Sequence, residues 1–264
     1  MTLDFSVLGI GLLGPGLADW ASGSALLREP ALWLATATVV PAPARLPATE
    51  RRRAGVGVKA SIGVADQAVA AAALDAAALA TVFTSSSSDP VNCHLLCQAL
   101  AAPERLVSPT RFTNSVHNAP AGYWHIAAQS RAPSTSLAAF DASFAAGLLE
   151  AAVQCRHSGA PVLLVACDVP YPEPLHALRP VPDVFAVALL LGLPGTGTGR
   201  GLRLTLAAGA APDVCRHAGL EVLRRAIPAA RALPLLQALA AATAAEVVVE
   251  GLDGQALHLS VAAA

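Results

Sequence analysis

Charge is scarce in this sequence. Only 13% of its 264 residues are charged, and 17 Lys+Arg nearly balance 18 Asp+Glu, for a formal net charge of -1. A chain without a basic excess is not built to hold a nucleic-acid backbone, which needs clustered Lys and Arg. Aromatics are also few, at 4%. The five cysteines are an odd number, which argues against a disulfide framework. No apolar run reaches membrane-spanning length without a charge, Pro or Gly cluster. The nearest, Val184 to Leu193, stops at Pro194-Gly195 and reads as a buried strand. The opening Met1-Thr-Leu-Asp-Phe5 lacks a basic segment and carries an acid at position 4, so a cytoplasmic protein without a secretory signal is expected. Ser85-Ser-Ser-Ser88 follows a strand, where ligand loops of α/β proteins often sit, yet it has none of the glycines or the lysine of a phosphate loop. No short repeat is visible, which excludes a solenoid. Cys93 and Cys97 stand four apart with His94 between them, but no second ligand pair follows. No metal and no cofactor are therefore expected. These two cysteines, with Cys155, Cys167 and Cys215, are expected to be small buried hydrophobes.

What remains is a chain that is 55% hydrophobic, with alanine filling much of that quota. Its length allows one large domain or two small ones with a sizeable core. Apolar runs read as strands at residues 5–10, 80–84, 162–167, 184–191 and 202–207, with Leu137 to Phe140 ending another. Helices are expected over 17–28, 67–79, 91–102, 142–157, 213–226 and 233–245. Asp89-Pro90 is a helix start, since proline suits the first helical position. Residues 31–60, rich in Pro and Arg, read as an irregular excursion. A closing hairpin joins 246–250 to 256–261 through Asp253-Gly254, a good turn dipeptide. Alternating strands and helices imply an α/β layered domain.

Five stretches, in order and spacing, carry a more specific likeness. They are Val7-Leu-Gly-Ile-Gly11 with Gly14-Pro-Gly16, Trp20 to Leu27, Ser108-Pro-Thr-Arg-Phe112 to Asn118-Ala-Pro-Ala-Gly122, Ala132-Pro-Ser-Thr-Ser-Leu137 to Gly147, and Gly159 to Cys167. Together they resemble the N-terminal half of the thiolase-fold β-ketoacyl synthases over residues 5–207. The resemblance implies a thiolase-like α/β/α/β/α arrangement. Residues 1–207 would be its N-terminal half and 208–264 a strongly reduced C-terminal portion, joined as one compact unit. In that family a cysteine occupies the sharp turn between strand and helix and accepts the acyl chain as a thioester. Here Asp141 stands in that turn. A carboxylate is a poorer nucleophile there, and it would repel the carboxylate of a malonyl extender. The family's two histidine motifs are also missing after residue 207, where the only histidines are His217 and His258.

With nucleophile and histidines absent together, the resemblance implies a non-catalytic partner. Such a subunit, of the chain-length-factor type found in aryl-polyene and xanthomonadin-like pathways, would dimerise with a full-length β-ketoacyl synthase and shape its acyl tunnel. An acyl carrier protein would meet the complex. By the same analogy Phe112, His117, Asn118, Gly122, Phe140, Asp141, Ser143 and Phe144 are candidates for the tunnel or dimer interface. Arg51-Arg-Arg53, the one basic run, is a candidate dock for the acidic carrier, beside its ordinary reading as a solvated loop.

Two readings stand for Asp141: a tunnel gate or charge mimic, or a first-turn carboxylate stabilising the helix that follows. Ser143 suggests a hydrolase or acyl transferase, alone or with Asp141, but Asp141-Ala-Ser-Phe-Ala145 lacks the Gly-x-Ser-x-Gly elbow. A stand-alone acyl-binding homodimer is the third possibility. His117 and His125 flank the 118–122 segment and face either a cavity or an interface.

Overall fold

Two strands of this chain are buried on both faces along their whole length. These are β4 (Val162–Asp168) and β5 (Phe185–Gly192), whose side chains are all buried. A strand of that kind must be covered above and below, and the rest of the fold supplies the two covers. The computed structural model describes residues 2–197, 199–241 and 243–263.

One eight-stranded sheet runs β3-β2-β4-β5-β1-β6-β8-β7. β1 spans Thr2–Leu13, β2 Ala80–Thr84, β3 Ser134–Leu137, β6 Arg200–Ala208, β7 Ala245–Glu250 and β8 Gln255–Val261. β2 pairs in parallel with β3 and β4, and every other pairing is antiparallel. The first half of β1 pairs with β6 and its second half with β5. The short 228–232 helical turn touches β4, β5 and β7 at once. β5 and β7 are four places apart in the sheet, about 19 Å if it were flat. The sheet therefore curls over that turn, and β6, β8 and β7 close a second layer. This is the thiolase-like layered architecture.

Ten α-helices are described: α1 Trp20–Arg28, α2 Ala48–Arg53, α3 Val56–Ala72, α4 Pro90–Ala101, α5 Pro109–Thr113, α6 Ala119–Ala128, α7 Ser143–Ser158, α8 Leu175–Leu178, α9 Ala218–Ala226 and α10 Leu233–Ala240. α3 and α6 cover one face, with Ile62, Val64, Ala65, Ala68 and Trp124 in that core. α7, the 228–232 turn and α10 cover the other, where Phe144, Leu148, Leu235 and Leu236 meet Leu204 and Leu259 of the closing strands. No described helix is long and apolar enough to cross a membrane.

The strand at 80–84, the start at Asp89-Pro90 and the Asp253-Gly254 hairpin stand as expected; Asp89 accepts from Asn92 N at 2.9 Å, and Asp253 and Gly254 both take positive φ. The 31–60 excursion is in part wrong. α2 lies within it, and α3 begins at Val56 and ends at Ala72, eleven residues before and seven before the bounds the sequence suggested. Gly57 and Gly63 had disguised the helix, yet its small residues let β1 approach closely, and that burial overrides weak propensity. A Cβ at Gly9 would stand 2.1 Å from the Ala68 carbonyl oxygen, and one at Gly11 1.9 Å from that of Val64. The expected helix at 213–226 begins only at Ala218, because Cys215 N donates to the Glu221 carboxylate at 2.9 Å and holds the lead-in extended.

Since the Gly11 contact is with backbone, no rotamer change relieves it. Gly11→Val should destabilise the chain by about 3 kcal/mol, the upper end of what overpacking usually costs, read as a lower denaturant midpoint or as insoluble protein; an unchanged midpoint would contradict the packing of β1 on α3.

Candidate functional site

The elbow begins where β3 ends. Residues 138–139 lead into one tight helical turn, Phe140–Ala142, and α7 starts at Ser143. Phe140 has φ +49°, a left-handed value unusual for an aromatic residue. Ser143 holds the turn closed: its hydroxyl donates to the Phe140 carbonyl at 2.6 Å and accepts from Ala139 N at 3.0 Å. Thr84 Oγ1 donates to the Ser143 carbonyl at 2.9 Å and fixes the helix start to β2. A Cβ at Gly147 would meet Thr84 and Leu164 under 3 Å away, so α7 lies flush on the sheet.

The Asp141 carboxylate is bound by two arginines. Its Oδ1 accepts from Arg179 Nη2 at 2.5 Å and its Oδ2 from Arg231 Nη2 at 3.1 Å. Arg231 also pairs with Glu250 at the end of β7. The Arg179 guanidinium lies 3.9 Å from the Phe140 ring centroid and 5.9 Å from that of Tyr171. Both carboxylate oxygens are therefore held by cations in an ion-pair cluster, while the residue stands in the first turn of the helical segment that leads into α7. Beside it opens a cleft of about 500 Å³ lined by Asp141, Leu178, Arg179, Pro180, Val222, Arg225 and Ala226. Among the described residues no histidine lines it.

Ser143 and Phe144, candidates for the tunnel or dimer interface, do not reach the surface of this chain. Ser143 is 1% exposed with its hydroxyl committed to the turn, and Phe144 is fully buried in the core. Phe112 is 69% exposed and Phe140 61%. Asn118, Gly122 and His125 line an open hollow of about 390 Å³ with Ser134 and Ser136 of β3. His125 Nε2 is buried there without a partner among the described residues. His117 turns inward instead, with Nε2 3.3 Å from the Ser85 carbonyl oxygen.

Arg51, Arg52 and Arg53 lie on α2 rather than on a loop. Arg53 pairs with Glu50 at 3.3 Å. Arg52 and Arg53 join Arg111 on the wall of a cleft of about 820 Å³, with Asp89 the acid among them and Val56, Val91, Val169 and Val184 apolar. No carboxylate among the described residues lies within ion-pair distance of Arg52 or Arg111.

None of the cysteines stands at the elbow. Burial pushes the Cys167 thiol up to about 12 and the Cys215 thiol likewise to about 12, so both stay protonated at neutral pH. Cys155 is also raised by burial. Cys93 and Cys97 are exposed on α4, which corrects their expected burial: that helix packs on the molecule through Pro90 and Asn92 at its start. No group of three or more metal-ligating side chains occurs among the described residues.

Sequence reasoning missed Asp168. It ends β4 and is 1% exposed. Oδ1 accepts from Ser86 N at 2.8 Å, Ser86 Oγ at 2.7 Å and Ser85 Oγ at 3.2 Å; Oδ2 accepts from Ala229 N at 2.8 Å. This one carboxylate ties the 85–88 loop to the turn under the curled sheet. The available signal was an acid closing an otherwise apolar strand, Val162-Leu-Leu-Val-Ala-Cys-Asp168.

Residues 24–248 match the family model of the β-ketoacyl synthase N-terminal domain. No curated protein matches the chain in sequence. Among solved structures, a ketosynthase in complex with its chain length factor from Xenorhabdus doucetiae is 25% identical with a TM-score of 0.72, and the match covers 98% of this chain and 99% of that one. A type II polyketide synthase acyl-carrier protein in complex with its ketosynthase bound to the hexaketide is 13% identical, with a TM-score of 0.73 and complete coverage of both chains. A β-ketoacyl synthase from Burkholderia phymatum is 13% identical, with a TM-score of 0.59, covering 87% of this chain and 71% of that one.

Burial raises the Asp168 carboxyl above its ordinary value, against the pull of its serine and backbone donors. A carboxyl raised in the folded state contributes stability that is complete below its unfolded value and lost as pH rises through the folded one. Asp168→Asn sets an NH2 against either Ala229 N–H or the Ser86 donors, and should cost about 1–3 kcal/mol. Wild-type stability relative to this variant should grow as pH falls from neutral through the raised value. Urea unfolding across pH reads both effects, and a pH-independent difference would refute the assignment.

Proposed function

The chain belongs to the β-ketoacyl synthase family, and from that membership we propose that it is the non-catalytic partner of an active ketosynthase, a subunit of the chain-length-factor type. The observation that carries this reading is the end-to-end match, at 25% identity, to a chain of a complex between a ketosynthase and its chain length factor. Against a β-ketoacyl synthase the match stops at 71% of the other chain.

The elbow supports the same conclusion chemically. Acyl transfer needs a nucleophile that is free and activated. Asp141 is engaged by two guanidiniums, the Ser143 hydroxyl is used by the turn, and the buried thiols of Cys155, Cys167 and Cys215 are held protonated. A hydrolase or transferase built on Ser143 or Asp141 has no base beside it among the residues of the elbow cleft.

Association is served by the outer edge of the sheet. β3 pairs with β2 on one side only. Its open side offers N–H and C=O groups to another strand. Exposed Phe112 (69%), Val116 (49%) and Ile126 (50%) belong to the segment before it. A synthase joining its own sheet here would cover them, at an area of about 800 Å² per partner for a stable complex. The partner would then carry out condensation in the cytoplasm on acyl groups delivered by a carrier protein, in a polyketide pathway of the aryl-polyene kind. Arg52 and Arg111, with Arg51 and Arg53 nearby, would steer the acidic carrier.

Co-expression with a full-length ketosynthase should give a stable hetero-complex by size-exclusion chromatography, with condensation of carrier-bound substrates only when both chains are present. Phe112→Asp should weaken the complex by roughly tenfold or more, the loss of an anchor of about 1.4 kcal/mol, without lowering the melting temperature of this chain. Thioester turnover by this chain alone, without any ketosynthase, would sink the proposal.

A further inference from the structure

The hollow of about 390 Å³ between α6 and β3 is lined by hydrogen-bond donors and holds no carboxylate. Asn118, Gly122 and His125 form its α6 side, and Ser134 and Ser136 form its β3 side. His125 Nε2 is buried there without a partner among the described residues. The Asn118 side chain does not cap α6, although it stands at the helix start. The Ser134 hydroxyl accepts from Thr81 Oγ1 at 2.8 Å, which leaves its own hydrogen to donate. A buried donor left unpaired is costly, so a partner for His125 is to be sought outside this chain. There is room for one: a Cβ built on Gly122 would meet nothing within 4 Å.

The position of the hollow says where such a partner comes from. Ser134 and Ser136 stand two apart on a strand and so point to one face. β3 pairs with β2 on one side only. A strand added to its free side would run about 4.8 Å away and bring its own side chains against the same hollow. A second copy of this chain would not complete it. In a two-fold pair along β3, each copy meets the other's same segment. That segment, Ala132-Pro-Ser-Thr-Ser-Leu137, carries no acid. Its serines are too short to fill the space, so both hollows would stay empty and both His125 nitrogens unpaired.

We propose that this hollow selects the partner: it receives a carboxylate side chain, Asp or Glu, from the ketosynthase strand that joins β3, with His125 Nε2 as its principal donor. The inference rests on the partner-subunit reading above. It adds the chemistry by which a different chain is preferred to a second copy of this one. An ionised carboxylate only accepts hydrogen bonds, which matches a lining of donors, and its charge strengthens each bond it receives. A lysine or arginine in the same place would set donors against donors.

The test measures binding of variants to the full-length ketosynthase by titration and size-exclusion chromatography. Gly122→Leu fills the hollow from this chain's own side. Leucine favours a helix more than glycine, so the variant should melt no lower than wild type, yet bind about a hundredfold more weakly, as when a central interface pocket is blocked. His125→Ala should weaken the complex about tenfold, the loss of one bond to a charged group, and His125→Glu by more. Acids on the ketosynthase's joining strand, changed to Asn one at a time, should single out one whose loss adds nothing to that of His125→Ala. The wild-type chain alone should elute as a monomer. A Gly122→Leu complex as tight as wild type would overturn the inference and leave the partner reading standing. So would a weakened Gly122→Leu complex in which no acid is coupled to His125, because the occupant would then be something other than a carboxylate. A homodimer of the wild-type chain that Gly122→Leu breaks would also overturn it, by making the occupant a second copy. If the wild-type chain forms no complex with the ketosynthase, the partner reading itself fails, and this inference with it.

Discussion

The rest of the structure depends on β4 and β5 being apolar on both faces. Strands of that kind are stable only as the middle of a sandwich. The first cover is α3 with α6, and alanines and glycines let backbone approach backbone there. The second cover is less ordinary. α7 supplies part of it, and the remainder comes from residues 228–240 and from a sheet that curls over them. The last sixty or so residues are thus what make the central strands stable in water, although the chemical motifs expected of them are absent.

Asp168 shows how this cover is anchored. It stands at the end of β4, where the strand leaves the core, and it is the only carboxylate described as buried to that degree. Its donors come from the loop after β2 and from the turn beneath the curled sheet. A buried carboxylate is costly unless each oxygen finds donors. Here those donors belong to segments that would otherwise be free to move relative to the sheet. The same residue therefore fixes the floor of the elbow region from two directions.

Much of this was legible in order. The buried strands declared themselves by unbroken apolar runs, as at 80–84 and 162–167. The helix starts declared themselves by Asp89-Pro90, and the hairpin by Asp253-Gly254. What was not legible had physical reasons. α3 hid behind Gly57 and Gly63, because a helix pressed against a strand needs small residues that local propensity penalises. Cys93 and Cys97 face solvent because the buried residues of α4, Pro90 and Asn92, lie in its first turn. Phe144 and Ser143 follow Asp141 by three residues or fewer, and sequence cannot say which side of a tight turn each one takes. The partners of Asp141 are 38 and 90 residues away, a separation no local pattern encodes.

Those partners bear on why the elbow carries an aspartate. In a chain with 13% charged residues, four charges gathered at one turn are a large share of what is available. Arg179, Asp141, Arg231 and Glu250 pair in that order, and Arg231 is nearly buried among them. Such a cluster is poor evidence of added stability, since desolvation offsets much of the attraction. Its better-attested use is to fix one arrangement among several, because removing any member leaves a charge uncompensated. A neutral residue at 141 would leave Arg179 and Arg231 without their shared anion and would release the ring that Arg179 holds. The identity at this position follows from the geometry it must keep. The two arginines and the carboxylate between them hold this elbow in one shape.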